Sequence, residues 1–395
     1  MLEVAYEIFC ELLRAERPLL IFGHGVKLAC AEQEARELAE LLDFPVCPTW
    51  GALDVFPDCV GGFGTHGTRA ANFAVQNADY ILSVGSRLDT KATGSPAKGF
   101  APKAKLTMVD VDQAELDKMA RIGRPLHHSI NADAKDFLSE LNAWAREARS
   151  LRESIEAMSA GPRIDVSRPM LSAWHAKIAE WKVKYPAVDP AYNVGDGVNP
   201  YKFIDELSDL LRADDVIVSD TGCALGWMMQ AYRFKGERFI HAFNQTPMGS
   251  GLPAAVGAAF ATGGRVILVS GDGGLSVNIT ELATVARHSL PIKILLFNNR
   301  GHAMCRQTQR TWLGGTYPST SYEGGLATPD FKSIAWSYGI TVHDNIGTML
   351  REEGPGLLNL DISLDYQIVP QVRFGRELHD ADPLLPREEL EEVMR

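Results

Sequence analysis

Two oxygen-bearing side chains, Asp272 and Asn299, each closely follow an apolar run of the sequence. The runs at 265–270 and 291–297 are typical of buried strands, and residues 279–288 between them have helical periodicity. The segment therefore predicts one β-α-β unit, which brings Asp272 and Asn299 together at the carboxyl ends of parallel strands, where open α/β sheets bind ligands. Carboxylate and amide oxygens suit Mg²⁺, and the glycines that flank Asp272 let backbone N–H groups approach a phosphate.

Two glycine-containing turns earlier in the same region have the form of ligand-binding loops. Residues 215–219 are predicted to form a strand, and the turn at 220–224 enters a helix whose first N–H groups suit an anion. Residues 248–251 form a Met-Gly-Ser-Gly turn before a helix with Pro253 in its first turn. Taken singly, the first turn is also explained as an ordinary strand–helix connection, and Met248 as a filler of the core.

The elements that must position these residues alternate between strand and helix in two regions of the chain. This alternation predicts an α/β fold with two doubly wound parallel-sheet domains. In the first region we predict strands at Pro18–Phe22, 44–48, 79–84 and 105–111, and helices at 31–42 and 132–145. The predicted bounds are a first domain at 1–150, a linker at 151–198 with a helix at 171–184, and a second domain at 199–395 whose polar tail has a short helix near 387–394.

The composition argues against several classes of protein. The chain has 395 residues, of which 46% are hydrophobic and 23% charged, so it is long enough for two globular domains. Its net charge of −11 and the lack of a Lys/Arg cluster argue against nucleic acid as a partner. No apolar run is long enough to cross a membrane, and the first residues do not resemble a signal peptide. Since the six cysteines show no CxxC spacing, we expect a cytoplasmic protein with reduced thiols.

Together these segments resemble the acetohydroxyacid (acetolactate) synthase group of thiamine diphosphate enzymes, over nearly the whole chain. The paired motifs around Asp272 and Asn299 resemble the signature with which such enzymes hold the cofactor's diphosphate through Mg²⁺. The first region resembles the group's central, FAD-binding domain, and the second its diphosphate-binding domain. The matching segments are 64–72, 85–89, 110–115, 246–258, 271–274, 298–304 and 325–331.

The resemblance implies a role for each matched position. Asp272 and Asn299 would give side-chain oxygens to Mg²⁺, and Gly301 its carbonyl oxygen. Met248 and Met304 would lie nearest the thiazolium, with Met248 wedged between the cofactor's two rings to hold it bent. The remaining cofactor contacts would be Thr221, Gly222, Cys223, Ala224, Gly271, Gly273, Gly274 and His302.

The chemistry that the resemblance implies belongs to the cofactor. A pyruvate-like 2-keto acid loses CO₂, and the acyl unit that remains is joined to an acceptor carbonyl. FAD stays open as a second cofactor, because related central domains bind FAD, another adenine nucleotide or nothing. Gly23-His24-Gly25 does not complete a GxGxxG fingerprint.

Two departures from the family pattern concern the acceptor. Thr90 and Lys91 stand where the synthases carry Asp-Arg, whose arginine is expected to face the acceptor's carboxylate. Lys91 keeps the charge but not the planar fork. Thr308 stands where the synthases carry a tryptophan that favours the larger keto-acid acceptors. We therefore expect an acceptor other than pyruvate or 2-ketobutyrate, with a more polar, sugar-like carbonyl.

A third departure concerns the residue that activates the cofactor. The family's full chain begins with a pyrimidine-binding domain that carries the activating glutamate, and no glutamate here stands in the equivalent motif. We therefore expect the large subunit of a split synthase-like enzyme, whose separate pyrimidine-binding subunit supplies that glutamate in a heteromer with at least two copies of each chain. The alternatives are a subunit of a two-polypeptide 2-keto acid decarboxylase, a type that usually lacks a central domain, and a non-catalytic cofactor-binding relic, which would not need an intact Mg²⁺ site.

Overall fold

Parallel sheets flanked by helices make up both units of the chain. The computed structural model describes residues 2–158, 169–192, 194–242 and 244–395. Their contacts divide the chain into a first unit, Met1–Ala187 with Pro370–Arg395, and a second unit, Val188–Val369. The predicted α/β class with doubly wound parallel sheets is confirmed.

The described residues form the following elements. The strands are β1 Pro18–Phe22, β2 Tyr80–Val84, β3 Lys105–Asp110, β4 His128–Asn131, β5 Val216–Ser219, β6 Arg238–His241, β7 Val266–Gly271, β8 Ile292–Asn298, β9 Thr341–His343, β10 Gly356–Asp361, β11 Gln371–Val372 and β12 Ala381–Asp382. The α-helices are α1 Leu2–Arg14, α2 His24–Leu28, α3 Glu32–Leu42, α4 Arg69–Asn77, α5 Thr90–Thr93, α6 Gln113–Arg121, α7 Ala134–Met158, α8 Pro169–Lys184, α9 Pro200–Leu210, α10 Cys223–Ala231, α11 Gly251–Thr262, α12 Asp272–Val277, α13 Leu282–Arg287, α14 Ala303–Trp312, α15 Phe331–Ser337, α16 Ile346–Arg351 and α17 Arg387–Val393. Short 3₁₀ helices span Trp50–Val55, Ala97–Gly99, Pro190–Tyr192 and Ile279–Glu281.

In the first unit, the described strands β1-β2-β3-β4 form a parallel sheet in that order. Every residue of β1 and β2 is buried, as expected of strands covered by helices on both faces. At the carboxyl ends of these strands, Gly23 and Gly25 pack directly on the backbone of Gly85, where a Cβ atom on Gly23 would lie 2.2 Å from the Gly85 carbonyl oxygen. The two glycines of the Gly-His-Gly turn therefore allow the neighbouring loops to pack closely, because a larger residue would collide with the backbone of Gly85.

In the second unit, the described strands form a parallel sheet in the order β6-β5-β7-β8-β10-β9. From β5 the chain moves outward to β6, then returns past β5 to form β7 and β8. The loops after β5 and β7 therefore lead to opposite sides, which makes the carboxyl ends of these two strands the topological switch point of the sheet. This is where such sheets bind ligands, and where residues 220–224 and Asp272 lie.

The compact units differ from the predicted domain bounds in two places. Helix α8, predicted as part of a linker at 151–198, packs in the first unit, and so does the C-terminal segment 370–395, which was assigned to the second domain. Residues 159–168 and Asn193 of the predicted linker lie outside the described residues.

One predicted strand, 44–48, is wrong: it is reduced to a single bridge between Val46 and Leu20. Two of its five residues, Pro45 and Pro48, have no N–H to donate to a ladder.

No helix within the described ranges has both the length and the apolar character needed to cross a membrane.

Candidate functional site

Asp272 lies where β7 ends and α12 begins, and it is 1% exposed. Its Oδ1 accepts a hydrogen bond from the N–H of Gly273, and its Oδ2 accepts one from the N–H of Gly301, both at 2.9 Å. Since Gly301 follows β8, the second bond joins the loops after two neighbouring strands. The structure thus brings together the two strand ends that the β-α-β pattern predicts to meet.

The charge of Asp272 is costly in this position. Burial raises the pKa of its carboxyl to about 6, although the N–H groups of Gly273, Gly301 and Arg300 donate to it and lower the pKa. The pKa of this carboxylate stays raised in spite of three donors, so a cation that binds to it would stabilise its charged form.

Asn299 supplies a second oxygen at the same edge of the sheet. Its Oδ1 is buried, and among the described residues no group donates a hydrogen bond to it. A buried acceptor without a donor costs free energy, so such atoms in native proteins are usually satisfied by a water molecule, an ion or a ligand. A carboxylate and an unpartnered amide oxygen fit a divalent cation that prefers oxygen ligands.

The loop after β5 offers backbone donors beside this position. Gly222 has φ +85°, and no described atom lies within 4 Å of the place that its Cβ would occupy, so the loop borders open space. Cys223 then begins α10, and burial raises the pKa of its thiol far above the ordinary value. The side chain of Cys223 is therefore a protonated thiol that packs beside the loop, and it is not activated as a nucleophile.

Met248 and His302 converge on Gly273. A Cβ atom on Gly273 would lie 2.6 Å from ring atoms of His302 and 3.6 Å from the sulfur of Met248, so no side chain fits at this position. Met248 is 46% exposed, which rules out the interpretation that it fills the core of its unit.

A residue that the sequence interpretation missed, Asp220, holds the Met248 loop in place. It is 1% exposed; its Oδ1 accepts from the N–H groups of Thr221 at 2.7 Å and Gly249 at 3.0 Å, and its Oδ2 from that of Gly251 at 3.0 Å. This side chain therefore joins the loop after β5 to the start of α11. The signal that could have found it is its position, directly after a strand at the switch point.

Helix α14 carries Met304, which was predicted to lie near the thiazolium, and Thr308, which was predicted to shape the acceptor side. Met304 lies in its first turn and is partly buried. Gln307, 4% exposed, exchanges two hydrogen bonds of 2.9 Å with the backbone of Ile368. The hydroxyl of Thr308 donates to the Met304 carbonyl oxygen at 3.1 Å.

In the first unit, Lys91 belongs to a half-buried polar group with His66. Burial and the charge of Lys91 lower the pKa of His66 to about 4, so this imidazole is neutral at physiological pH. Its Nε2 lies 2.9 Å from Nε2 of Gln371, and Lys91 Nζ lies 5.8 Å from the centre of the Trp50 ring. Burial lowers the pKa of the Lys91 ammonium.

Comparisons with known proteins agree with these two units. Residues 220–353 match the family model described as the thiamine pyrophosphate enzyme, C-terminal TPP binding domain, and residues 7–141 match the central domain of the same enzymes.

The chain is also similar to large subunits of acetolactate synthases. It is 32% identical to that of isozyme 2 from Escherichia coli strain K12, over 95% of this chain and 63% of that protein. For isozyme 1 of the same organism the identity is 31%, over 91% of this chain and 61% of that protein. A probable acetolactate synthase large subunit from Methanocaldococcus jannaschii is 31% identical, over 96% of this chain and 64% of that protein. The chain thus spans somewhat less than two thirds of the length of these relatives.

Proposed function

Because the chain belongs to the thiamine pyrophosphate enzymes, we propose that it forms the diphosphate-binding part of a thiamine diphosphate-dependent carboligase. The observation that supports this is the pair of oxygens at the carboxyl ends of β7 and β8. Asp272 is buried at a cost, and Asn299 Oδ1 lacks a donor among the described residues. We propose that both bind Mg²⁺, together with the carbonyl oxygen of Gly301.

The loop after β5 and the glycines after β7 would hold the diphosphate. Gly222, Cys223 and Ala224 present N–H groups where α10 begins, next to the open space beside Gly222, and Thr221 lines the same loop. Gly271, Gly273 and Gly274 would let the phosphates approach the start of α12, where Met248 and His302 meet.

When bound, the cofactor supplies decarboxylation of a 2-keto acid and transfer of the acyl unit. The chain's part would be to position it. Met248 would support the bent form, and Met304 would border the reacting end. An acetolactate synthase-like carboligation fits better than simple decarboxylation, because the similarity to acetolactate synthase large subunits spans both the central and the C-terminal domain. A relic without turnover would not need the paired oxygens at Asp272 and Asn299.

We further propose that a separate pyrimidine-binding subunit supplies the activating glutamate. No glutamate among these 395 residues stands in the family's activating motif, so the group that activates the cofactor would have to come from outside them. The assembled enzyme would be a heteromer with at least two copies of each chain.

The natural acceptor would differ from that of the relatives. Lys91 stands in place of an arginine, and Thr308 in place of a tryptophan, so this position of α14 has no bulky aromatic side chain. The hydroxyl of Thr308 donates to the Met304 carbonyl. We propose an acceptor with a more polar carbonyl than pyruvate.

The test measures thiamine diphosphate affinity and products in the assembled enzyme, with Asp272→Ala against the exposed control Asp214→Ala. We expect Asp272→Ala to abolish Mg²⁺-dependent cofactor binding and Asp214→Ala to change nothing. CO₂ release from pyruvate should require the pyrimidine-binding polypeptide, and the absorption spectrum of the same preparation shows whether FAD is bound.

Three results would contradict the proposal in separate parts. Unchanged cofactor affinity in Asp272→Ala would contradict the assignment of the metal site. Turnover by the 395-residue chain alone would remove the need for a partner. Acetolactate formation with kcat/KM above about 10⁴ M⁻¹s⁻¹ would remove the altered acceptor.

A further inference from the structure

A glutamate and two histidines form a compact cluster in the first unit, which none of the thiamine residues uses. Glu11 comes from α1, His127 precedes β4, and His128 is the first residue of that strand. One ligand atom from each residue lies within 4.8 Å of the other two. His127 Nε2 is 2.9 Å from Glu11 Oε1, and His128 Nε2 is 3.0 Å from Glu11 Oε2.

The cluster sits at the opposite end of its sheet from the loops that bind ligands in this kind of fold. His128 begins β4, the edge strand of the four in the first unit, and Lys105 at the start of β3 also reaches Glu11. Both residues mark the amino ends of their strands, so the cluster is separate from the carboxyl-end loops that carry Gly23 and Gly85.

We propose that Glu11, His127 and His128 bind a first-row divalent metal ion of the Zn²⁺ type. Two imidazole nitrogens and one carboxylate oxygen are a ligand set that proteins use for this ion, with the fourth position left to water. In a tetrahedral site with such bond lengths, neighbouring ligand atoms lie about 3.3 Å apart. The two histidine–Glu11 separations of 2.9 and 3.0 Å need to open by only a few tenths of an ångström. The ligand nitrogens of the two histidines lie within 4.8 Å of each other, so a change of side-chain torsion can bring them to this distance.

Neighbouring groups already orient the ligands. Tyr80 donates its hydroxyl hydrogen to Glu11 Oε2 at 3.1 Å, and its oxygen lies 2.8 Å from Thr107 Oγ1. The rings of His127 and His128 pack at 4.4 Å between centroids, and the Tyr80 ring stands edge-on to His127. Such outer contacts fix the direction of metal ligands and raise affinity.

The cluster is open to solvent on one side, so an ion can enter. The side chain of His127 is 34% exposed, and those of His128 and Glu11 are 17% exposed. Lys105 is the competing cation: its Nζ lies 2.8 Å from Glu11 Oε1, but its side chain is 54% exposed and can turn into solvent. Removing this ammonium should therefore strengthen metal binding, whereas removing a histidine should abolish it.

The experiment titrates the full chain with ZnCl₂ by calorimetry, in saturating Mg²⁺ so that Asp272 and Asn299 are occupied. We expect one site per chain with micromolar or tighter affinity. His127→Ala and His128→Ala should each weaken it by at least about 30-fold, and the matched exposed control His175→Ala should not. Lys105→Gln keeps all three ligands and should tighten the affinity by about 3- to 10-fold. CoCl₂ should give the visible bands of four- or five-coordinate Co²⁺, and these should disappear in His127→Ala.

Three outcomes would overturn the proposal. The first is the absence of saturable Zn²⁺ binding to the unmodified chain. The second is binding that persists unchanged in both histidine variants, which would place the ion on exposed thiols such as Cys30 and Cys305. The third is weaker binding in Lys105→Gln, a variant that remains informative even if the histidine variants fail to fold.

Discussion

The buried carboxyl of Asp272 lowers the stability of the folded chain when it is charged. Burial raises the pKa of its carboxyl from 3.8 in the unfolded chain to about 6 in the fold. Between these two pH values the folded chain binds more protons than the unfolded chain, so the free energy of unfolding of the metal-free protein falls as pH rises. Above pH 6 the buried charge costs about 3 kcal/mol, and a bound cation would remove this cost.

This linkage predicts how Asp272→Ala changes stability with pH. The wild type should lose about 1 kcal/mol more than the variant between pH 5 and pH 7.5, because only the wild type carries the group whose charge is buried. The measurement is denaturant unfolding of the EDTA-treated proteins at both pH values. The hydrogen bonds that Gly273 and Gly301 donate are already included in the pKa of about 6, and the packing that the variant loses does not depend on pH. A difference between the two proteins that does not change with pH would show that Asp272 is charged without cost.

The residue types and spacing in this part of the chain could be interpreted from the sequence alone. They indicated an oxygen site, because the two apolar runs identify neighbouring strands and Asp272 and Asn299 follow them. The spacing could not show that Gly301 donates to Asp272, or that the Asn299 oxygen lacks a donor. Both facts depend on the backbone path between residues 299 and 301, where Arg300 has φ +54°.

Among the elements, apolar strands were the easiest to predict. β1 was predicted with its exact bounds, and β7 and β8 within one residue, because mainly apolar runs between turn residues leave few alternative bounds. The predicted helix at 279–288 begins as a 3₁₀ turn and is α-helical only from Leu282. The function of Asp220 was missed because its partners, Gly249 and Gly251, lie about 30 residues away on another loop.

The hydrogen bonds of Asp220 indicate that the conformation of the loop at 247–251 depends on this one side chain. Asp220→Ala should lower thiamine diphosphate affinity of the assembled enzyme by at least tenfold, because the buried N–H groups of Gly249 and Gly251 lose their acceptor and the loop that carries Met248 is released. The control is Ser250→Ala, whose hydroxyl donates to the Pro247 carbonyl of the same loop and to no other described residue. Calorimetry checks both variants, and circular dichroism shows that the fold is kept. Equal affinity in Asp220→Ala and Ser250→Ala would refute the positioning role.

At the scale of the whole molecule, the C-terminal segment is the part that the sequence assigned differently from the structure. Residues 370–395 follow the second unit along the chain, yet they pack in the first. The reason lies on α4, where Arg69, Asn72, Gln76 and Asn77 are all at most 5% exposed. From the sequence, these polar residues suggest a solvent-exposed helix face. Each of them has at least one hydrogen-bond partner in the C-terminal segment, about 300 residues away and beyond any local pattern.

We therefore expect truncation of the C-terminal segment to destabilise the first unit and not the second. Asn72 Nδ2 donates to the Leu378 carbonyl at 3.1 Å, Asn77 Nδ2 to the Val393 carbonyl at 3.1 Å, and Arg69 to the carbonyls of Ala381 and Pro383. Without 370–395, these groups on α4 lose their partners and gain water only by opening the apolar surface beside them. Each such loss costs about 1–3 kcal/mol.

Hydrogen exchange can compare the full chain with a chain that ends at Val369. Amides of α4 and β2 in the first unit should lose protection, whereas those of β7 and β8 should exchange as before, because the second unit keeps all its internal contacts. Asn72→Ala in the full chain should reproduce part of the effect, and the exposed control Asn131→Ala should leave α4 unchanged. If α4 in the shortened chain kept full protection, its buried polar side chains would have to find all their hydrogen-bond partners within the first 187 residues. The C-terminal segment would then be an attachment to the first unit and not a part of its core.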